Sequence, residues 1–180
     1  MPISKNINLH HSVTELGNLQ LRQVVEYVKD GKVKDKKHSH PVTPADPKNM
    51  TDWDERSQDI VSAIITPEVK IEFAAEIEAN RIQTGDIVEI VSYDRVIEED
   101  GKIAVRRITR IFDEGVEVSK KYHRSWIMPG QDPIGNDVIS KALAIKLHTP
   151  EVIVAYKAKL VSQQHESGPT DAGSKPPTMT

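Results

Sequence analysis

An internal repeat constrains the fold of this chain more than any other feature of its sequence. The segment that begins at Gly17 aligns with the segment that begins at Gly101 at an offset of 84 residues, which changes to 85 and then 83 further along the chain. The matched positions are Gly17 with Gly101, Arg22 with Arg106, Gly31 with Gly115, His38 with His123, Asp54 with Asp137, Ser57 with Ser140, and Thr66-Pro67-Glu68-Val69 with Thr149-Pro150-Glu151-Val152. Because a duplicated segment is expected to fold in the same way twice, the sequence predicts two copies of one supersecondary unit.

Each copy is predicted to begin with three strands. Residues at every second position predict a first strand over 7–13 and over 91–97. The second strand, over 19–29 and 103–113, is apolar on both faces, which is typical of a strand inside a sheet. The chain then turns back at Asp30-Gly31 and Glu114-Gly115, where glycine supplies the positive φ of a tight hairpin, and the third strands run toward Pro44 and Pro129.

Two helices are predicted to follow in each copy. The first spans about 52–65 and 135–148, and the second begins after Thr66 and Thr149, each of which is a helix N-cap followed by proline. Val69, Phe73 and Ile77 recur at helical spacing, as do Val152, Tyr156 and Leu160 in copy two, which predicts a helix face that packs over the sheet. Residues 78–86 are expected to join the copies directly.

The predicted fold class is α+β, with two tandem copies of a βββαα unit. Each copy is an antiparallel three-stranded meander plus two helices, and the copies are expected to pack as a pseudo-twofold pair. Copy one is assigned to residues 1–82 and copy two to 83–163. A unit of ~80 residues buries little apolar surface alone, so each copy is expected to depend on the other. Residues 164–180 are polar and contain proline and glycine, which predicts a flexible C-terminal tail.

The composition excludes several classes of site. Because the chain has no cysteine, it has no disulfide, no thiolate zinc site and no cysteine nucleophile. A formal net charge of -3 gives no overall attraction to nucleic acid or to an anionic membrane. The sequence also lacks a glycine-rich phosphate loop, a Gly-x-Ser-x-Gly motif and a His-Glu-x-x-His motif. We therefore expect a non-enzymatic protein without catalytic residues, without a cofactor or metal, and without membrane contact.

Some polar residues are open to two interpretations. His38 and His40 would share one face of a strand and could bind a metal, but copy two has His123 and Ser125 at those places, so exposed polar residues are the alternative. The lysines of the third strand could follow a phosphate backbone, or they could prevent edge-to-edge association of an edge strand.

Trp126 also has two interpretations, because it shares a strand face with Val118 and Tyr122. It belongs either to the core of copy two or to a binding surface. The residues assigned to a candidate interaction surface are Lys34, Lys36, His38, His40, Trp53, Arg107, Arg110, Tyr122, His123, Arg124 and Trp126.

Copy two contains a distinctive run of residues. Gly115-Val116-Glu117-Val118-Ser119-Lys120 is followed by Tyr122-His123-Arg124, then by Thr149-Pro150-Glu151-Val152 and Ala155-Tyr156. This pattern resembles a group of small tailed-bacteriophage proteins whose genes lie among virion structural genes. The resemblance covers 103–158, and copy one follows it loosely, with Lys37-His38-Ser39 in place of Tyr-His-Arg.

The resemblance implies a structural or assembly component of a tailed-phage particle, located in the virion and assembled in the host cytoplasm. The expected location is the tail, neck, baseplate or a fibre adaptor, and the expected partners are other virion proteins in a homo-oligomer or symmetric assembly. Two alternatives stay open: a capsid decoration (cement) protein, and a small nucleic-acid-binding accessory protein that uses the basic strands. The net charge argues against nucleic acid as a partner.

Overall fold

The computed structural model describes residues 3–38 and 54–166. This part of the chain is α+β, with one antiparallel sheet and four helices. In chain order the elements are β1 (Ser4–Val13), β2 (Leu19–Lys29), β3 (Lys32–His38), α1 (Glu55–Ile64), α2 (Pro67–Ala79), β4 (Arg81–Thr84), β5 (Ile87–Ile97), β6 (Ile103–Asp113), β7 (Val116–Ile127), α3 (Val138–Leu147) and α4 (Pro150–Glu166). Three strands and two helices thus occur twice in the same order, with β4 between them.

The second strands and their hairpin turns confirm the sequence predictions. The bounds of β2 and β6 are those expected, and both strands lie inside the sheet. Both turns have positive φ at the glycine and at the acidic residue before it, as at Asp30 (φ 54) and Gly31 (φ 72). Two consecutive residues with positive φ give the hairpin turn that matches the twist of the flanking strands.

The first helices are shorter than predicted because aspartate side chains fix where they begin. Asp54 and Asp137 are the N-caps of α1 and α3, and each carboxylate accepts a hydrogen bond from the backbone N–H of Ser57 or Ser140 at 3.0 Å. These bonds satisfy backbone donors that the first turn of a helix leaves unpaired. Thr66 caps α2 in the same way, as the sequence predicted.

Residues 78–86 do not merely join the copies, and the expectation of a direct connection is wrong. They contain β4, which pairs with β5 from Thr84↔Ile87 to Arg81↔Ile90. All four residues of β4 are exposed. The strand is therefore held by its backbone hydrogen bonds, and it has no buried side chains that would produce an alternating sequence pattern.

The two groups of strands meet through their first members. The order in the sheet is β3-β2-β1-β5-β6-β7, with β4 paired to β5 beside this path. Only three residue pairs join β1 to β5, namely His11↔Ile97, Ser12↔Val96 and Val13↔Arg95. At the offset of 84, Ser12 corresponds to Val96, so this pair links equivalent positions of the repeat. The edges of the six-strand path are β3 and β7.

One face of the sheet, which we call the helix-bearing face, holds the core. Val13, Ile97 and Ile103 project from it and belong to one buried cluster with helix residues of α1 and α3. Ile60 of α1 and Leu143 of α3 are both 0% exposed, and they correspond to each other at the offset of 83. The contact between α1 and α3 therefore joins the two halves of the chain.

The second helices cover the core only in part. Val69 and Phe73 of α2 pack against the buried cluster, but Ile77 is 44% exposed, and so the predicted packing of the whole stripe is wrong at its C-terminal end. The aromatic ring of Phe73 lies 3.2 Å from where a Cβ on Gly17 would be. In the other half, Val152 of α4 approaches Gly101 in the same way, at 2.6 Å. The glycines permit this close approach and also supply the positive φ of the turns.

Candidate functional site

The face of the sheet opposite the core, which we call the open face, carries a groove that runs across the strands. The register places one residue of each of five strands in a row beneath it: Trp126, Ala104, Val96, Ser12 and Gln20. Ala104 and Ser12 have small side chains, so the row leaves space between Trp126 and Gln20. The groove has a volume of about 740 Å³, and the turn after β1 forms one wall through Glu15 and Leu16.

Cationic and aromatic side chains alternate along β7 on the open face. Lys120, Tyr122, Arg124 and Trp126 occupy every second position, so they project from the same side of the strand. Tyr122 is 55% exposed and Trp126 is 44% exposed. The Arg106 guanidinium lies 5.2 Å from the centre of the Tyr122 ring, and the Lys102 ammonium lies 5.4 Å from that of Trp126. These cation–π contacts help to orient the two rings.

Carboxylates neutralise some of the arginines on this face. Arg106 donates to both oxygens of Asp94, and Arg110 donates to Glu15. The hydrogen bond from Arg110 lowers the pKa of the Glu15 carboxyl, so this pair is ionised at neutral pH. Arg124 has no ion pair or hydrogen bond to a side chain in the described ranges 3–38 and 54–166. Its charge is therefore available at the rim of the groove.

The structure divides the residues of the candidate interaction surface among separate places. Tyr122, Arg124 and Trp126 lie together on the open face, and Arg110 lies on the same face in its pairing with Glu15. Trp126 does not belong to the core, because its place on β7 directs it away from the helices. The alternation is interrupted at Val118, because the register skips this residue at a β-bulge opposite Ile111/Phe112.

The remaining residues of that surface lie elsewhere. Arg107 and His123 are register partners with exposed side chains on the helix-bearing face. β3 lies at the far edge of the sheet, where Lys36 pairs with Glu26 at 2.6 Å and His38 accepts a hydrogen bond from Arg22 at 3.0 Å. Lys34 is exposed on the same strand. His40 and Trp53 lie outside the described residues.

Sequence reasoning missed a buried polar cluster where the two halves meet. Arg95 of β5 is 1% exposed and forms an ion pair with Asp137, the N-cap of α3. It also donates to Ser140 Oγ at 3.2 Å and to the Thr14 carbonyl of the first half at 3.4 Å. The second carboxylate oxygen of Asp137 has no hydrogen-bond partner among the described residues. Arg95 therefore compensates most of the charge that Asp137 buries.

His11 occupies the equivalent position in the first half. Its Nε2 lies 2.8 Å from Ser57 Oγ, and Ser57 in turn donates to Asp54. Because the single hydroxyl hydrogen of Ser57 is donated to Asp54, this arrangement assigns the Nε2–H tautomer to His11. Serine, histidine and aspartate are the residue types of a hydrolytic triad, but Ser57 is 0% exposed and its proton is directed at the N-cap carboxylate. The cluster links α1 to β1 through the hydrogen bond between His11 and Ser57.

A signal for these clusters was present in the repeat. His11 and Arg95, Asp54 and Asp137, and Ser57 and Ser140 are all matched polar positions of the two copies. His11 stands between Leu9 and Val13 in the alternation of β1, and Arg95 stands between Tyr93 and Ile97 in that of β5. A polar group on such a face is expected to have a hydrogen-bond partner.

The buried His11 predicts that the protein loses stability in mild acid. Burial is the largest cause that lowers the pKa of His11, from 6.5 to about 4, and the nearby Asp54 carboxylate opposes this shift only in part. The unfolded chain therefore binds this proton at a higher pH than the folded chain does. The stability that His11 contributes is complete above pH ~6.5 and is lost as the pH falls toward 4, by about 2–3 kcal/mol at pH ~4.5.

Urea unfolding of the wild type and of His11→Gln at pH ~7 and pH ~4.5 measures this effect. Groups that do not interact with His11 contribute equally to both proteins and cancel in the comparison. The lowered pKa of His148 acts in the same direction as that of His11, the raised pKa of Glu76 acts in the opposite direction, and the lowered pKa of Glu15 acts at more acidic pH. Asp54 does not cancel, because His11 is one cause of its lowered pKa, but its protonation affects stability at more acidic pH. An equal loss of stability in the two proteins would show that His11 does not change its protonation on folding.

The described residues show neither a metal-binding cluster nor a membrane span. No three His, Asp or Glu side chains among residues 3–38 and 54–166 converge in a way that could hold a metal ion. None of the helices in this part of the chain has the length and apolar character needed to cross a bilayer. In comparisons with known proteins, no family model, no curated protein and no solved structure matches this chain.

Proposed function

We propose that this protein is a non-enzymatic structural or assembly component of a tailed-phage particle, with the tail, neck, baseplate or a fibre adaptor as its place. The observation that carries the proposal is the row of exposed side chains Tyr122, Arg124 and Trp126 beside the groove on the open face. Aromatic and arginine side chains are the residues that contribute most at protein–protein interfaces. The resemblance of residues 103–158 to phage virion-associated proteins supports a partner within the particle.

We infer further that the chain arose by tandem duplication of a βββαα unit and that the copies pack about a pseudo-twofold axis. The pairing of β1 with β5 supports this inference. At the offset of 84, His11 corresponds to Arg95 and Val13 corresponds to Ile97, so exchange of the two copies converts the pair His11↔Ile97 into the pair Arg95↔Val13. Both pairs are present, as a twofold axis requires. The matched polar clusters at the starts of α1 and α3 support it as well. A duplicated unit presents two related but different edges, which suits a position between unlike partners in a symmetric assembly.

Mass spectrometry of purified phage particles tests the function. We expect peptides of this protein in particles separated from free protein by density centrifugation. A low copy number relative to the major coat protein would agree with the tail or neck, and a copy number near that of the coat would assign the protein to capsid decoration. Absence from particles would contradict a virion role of either kind.

A further inference from the structure

We propose that β7 binds an extended acidic segment of a partner protein, which adds to the sheet as a further strand and contacts the aromatic and cationic side chains of the open face. The inference deepens the proposed function and rests on it for the kind of partner, another protein of the assembly. It assigns to this chain the recognition mode in which main-chain hydrogen bonds give affinity and alternate side chains give specificity.

The backbone of β7 is available for such pairing. The strand has 12 residues, and within residues 3–38 and 54–166 it pairs with β6 alone. Its outer N–H and C=O groups therefore lie at the edge of the sheet, where they can bind the backbone of another chain.

The opposite edge of the sheet provides an internal comparison. β3 is an edge as well, but it has only 7 residues, and Lys32, Lys34, Lys36 and Lys37 make up most of them. Lysines at this density prevent association of edge strands. β7 instead exposes Tyr122, Trp126 and Val116, the last at 65%. Of the two edges, β7 is the one with side chains suited to contact a partner.

The charges of β7 specify an acidic partner. Lys120 and Arg124 project from the open face, while Lys121 and His123 project from the other face. The single carboxylate of the strand, Glu117, already lies 3.5 Å from Arg110. A strand added beside β7 would place side chains four residues apart next to Lys120 and Arg124, and carboxylates at those positions would pair with them.

Single-stranded nucleic acid is the other polymer that an alternation of cations and aromatic rings could bind. The edge of β7 distinguishes the two polymers. Among the described residues β7 pairs with β6 alone, so a peptide can add to it through backbone hydrogen bonds, and a nucleic acid cannot form such a ladder. Asp94 and Glu15 also cancel the charges of Arg106 and Arg110 beside the row. The cations left for a phosphate backbone are therefore few, and the partner is assigned as protein.

Fluorescence anisotropy with a labelled peptide tests the assignment on the full-length protein. The probe is an extended peptide of the same length as β7 in which glutamate alternates with valine and threonine. We expect it to bind, and we expect the same peptide with lysine in place of glutamate not to bind. Hydrogen exchange adds a second measurement: the backbone amides of β7 should become protected when the acidic peptide is present, and those of β3 should not.

Matched variants separate the two edges of the sheet. Reversal of charge on β7, in the double variant K120E/R124E, should weaken peptide binding by about tenfold or more. The double variant K32E/K34E makes the same change in net charge on β3 and should leave the affinity within about twofold of the wild type. All four side chains are exposed, so neither variant removes a buried contact.

Three results would overturn the proposal. Equal binding of a peptide that carries N-methyl groups on its central amides would show that no strand is added. An equal effect of the β3 and β7 variants would show that only net charge matters. Preferential binding of a single-stranded oligonucleotide would assign the face to nucleic acid. Absence of the protein from phage particles, in contrast, would contradict the proposed function and leave a positive peptide result as evidence for a partner elsewhere.

Discussion

Replacement of Arg95 by methionine is expected to lower the free energy of unfolding by about 3–5 kcal/mol. Methionine replaces the unbranched aliphatic part of the arginine side chain but not its charge. The Asp137 carboxylate is then buried without a compensating charge. It also removes the hydrogen bonds to Ser140 and to the Thr14 carbonyl, so the junction between the halves loses contacts on both sides. Chemical unfolding followed by circular dichroism measures the change.

A matched substitution and a double variant make this prediction specific. Arg106→Met removes another arginine–aspartate pair, but the Arg106 side chain is 42% exposed, and the cost should be about 1 kcal/mol or less. Asp137→Asn keeps a side chain that can cap α3 and removes the charge that Arg95 balances. The double variant R95M/D137N should therefore be more stable than R95M alone. Equal costs for Arg95→Met and Arg106→Met would show that burial of the pair is unimportant.

The fragment 85–163 is expected not to fold as a monomer. In the full chain its strand β5 pairs with β1, and Leu143 of α3 is buried in one cluster with Ile60 of α1. Removal of the first half exposes Leu143 and its apolar neighbours in the second half to water. A unit of ~80 residues has little other apolar surface to bury. A second copy of the fragment could supply β5 with an equivalent strand, so we expect any folded form to be a dimer.

Analytical ultracentrifugation together with thermal unfolding tests this dependence. The fragment should show no cooperative transition at low concentration and should gain structure as it dimerises. Residues 1–163, which lack only residues 164–180, are the control and should unfold cooperatively as the full chain does. Residues 80–163 retain β4 and control for the loss of that hairpin. A monomeric fragment with a full cooperative transition would contradict mutual dependence of the halves.

Local chemistry made much of the secondary structure predictable. The glycines at 31 and 115 specify tight hairpins because few other residues adopt positive φ, and their positions set the ends of the flanking strands. Thr66 identified the start of α2 through its ability to accept a backbone hydrogen bond. β4 escaped prediction because it buries no side chain. The burial of α2 was overestimated, because an apolar stripe does not show how much of its length the core contacts.

The candidate site could be predicted only as a set of residue types. Alternation in the sequence places Tyr122 and Trp126 on one side of a strand, but it does not tell which side the helices cover. The assignment of Trp126 to the surface and the division of Arg107 from Arg124 depend on that choice. The pairing of Arg95 with Asp137 joins residues far apart in the chain, and no local pattern specifies such a contact.

The sequence by itself determined the repeated order of strands and helices, the hairpin turns and the helix caps, since each depends on interactions between residues close together in the chain. The tertiary structure decided which face of the sheet the helices pack against, which strands form its edges and how the two first strands meet at Ser12 and Val96. These features depend on how α1 and α3 pack against each other and against one face of the sheet. Burial of apolar surface in that contact is a property of the whole chain, and it is this packing that leaves Tyr122, Arg124 and Trp126 exposed.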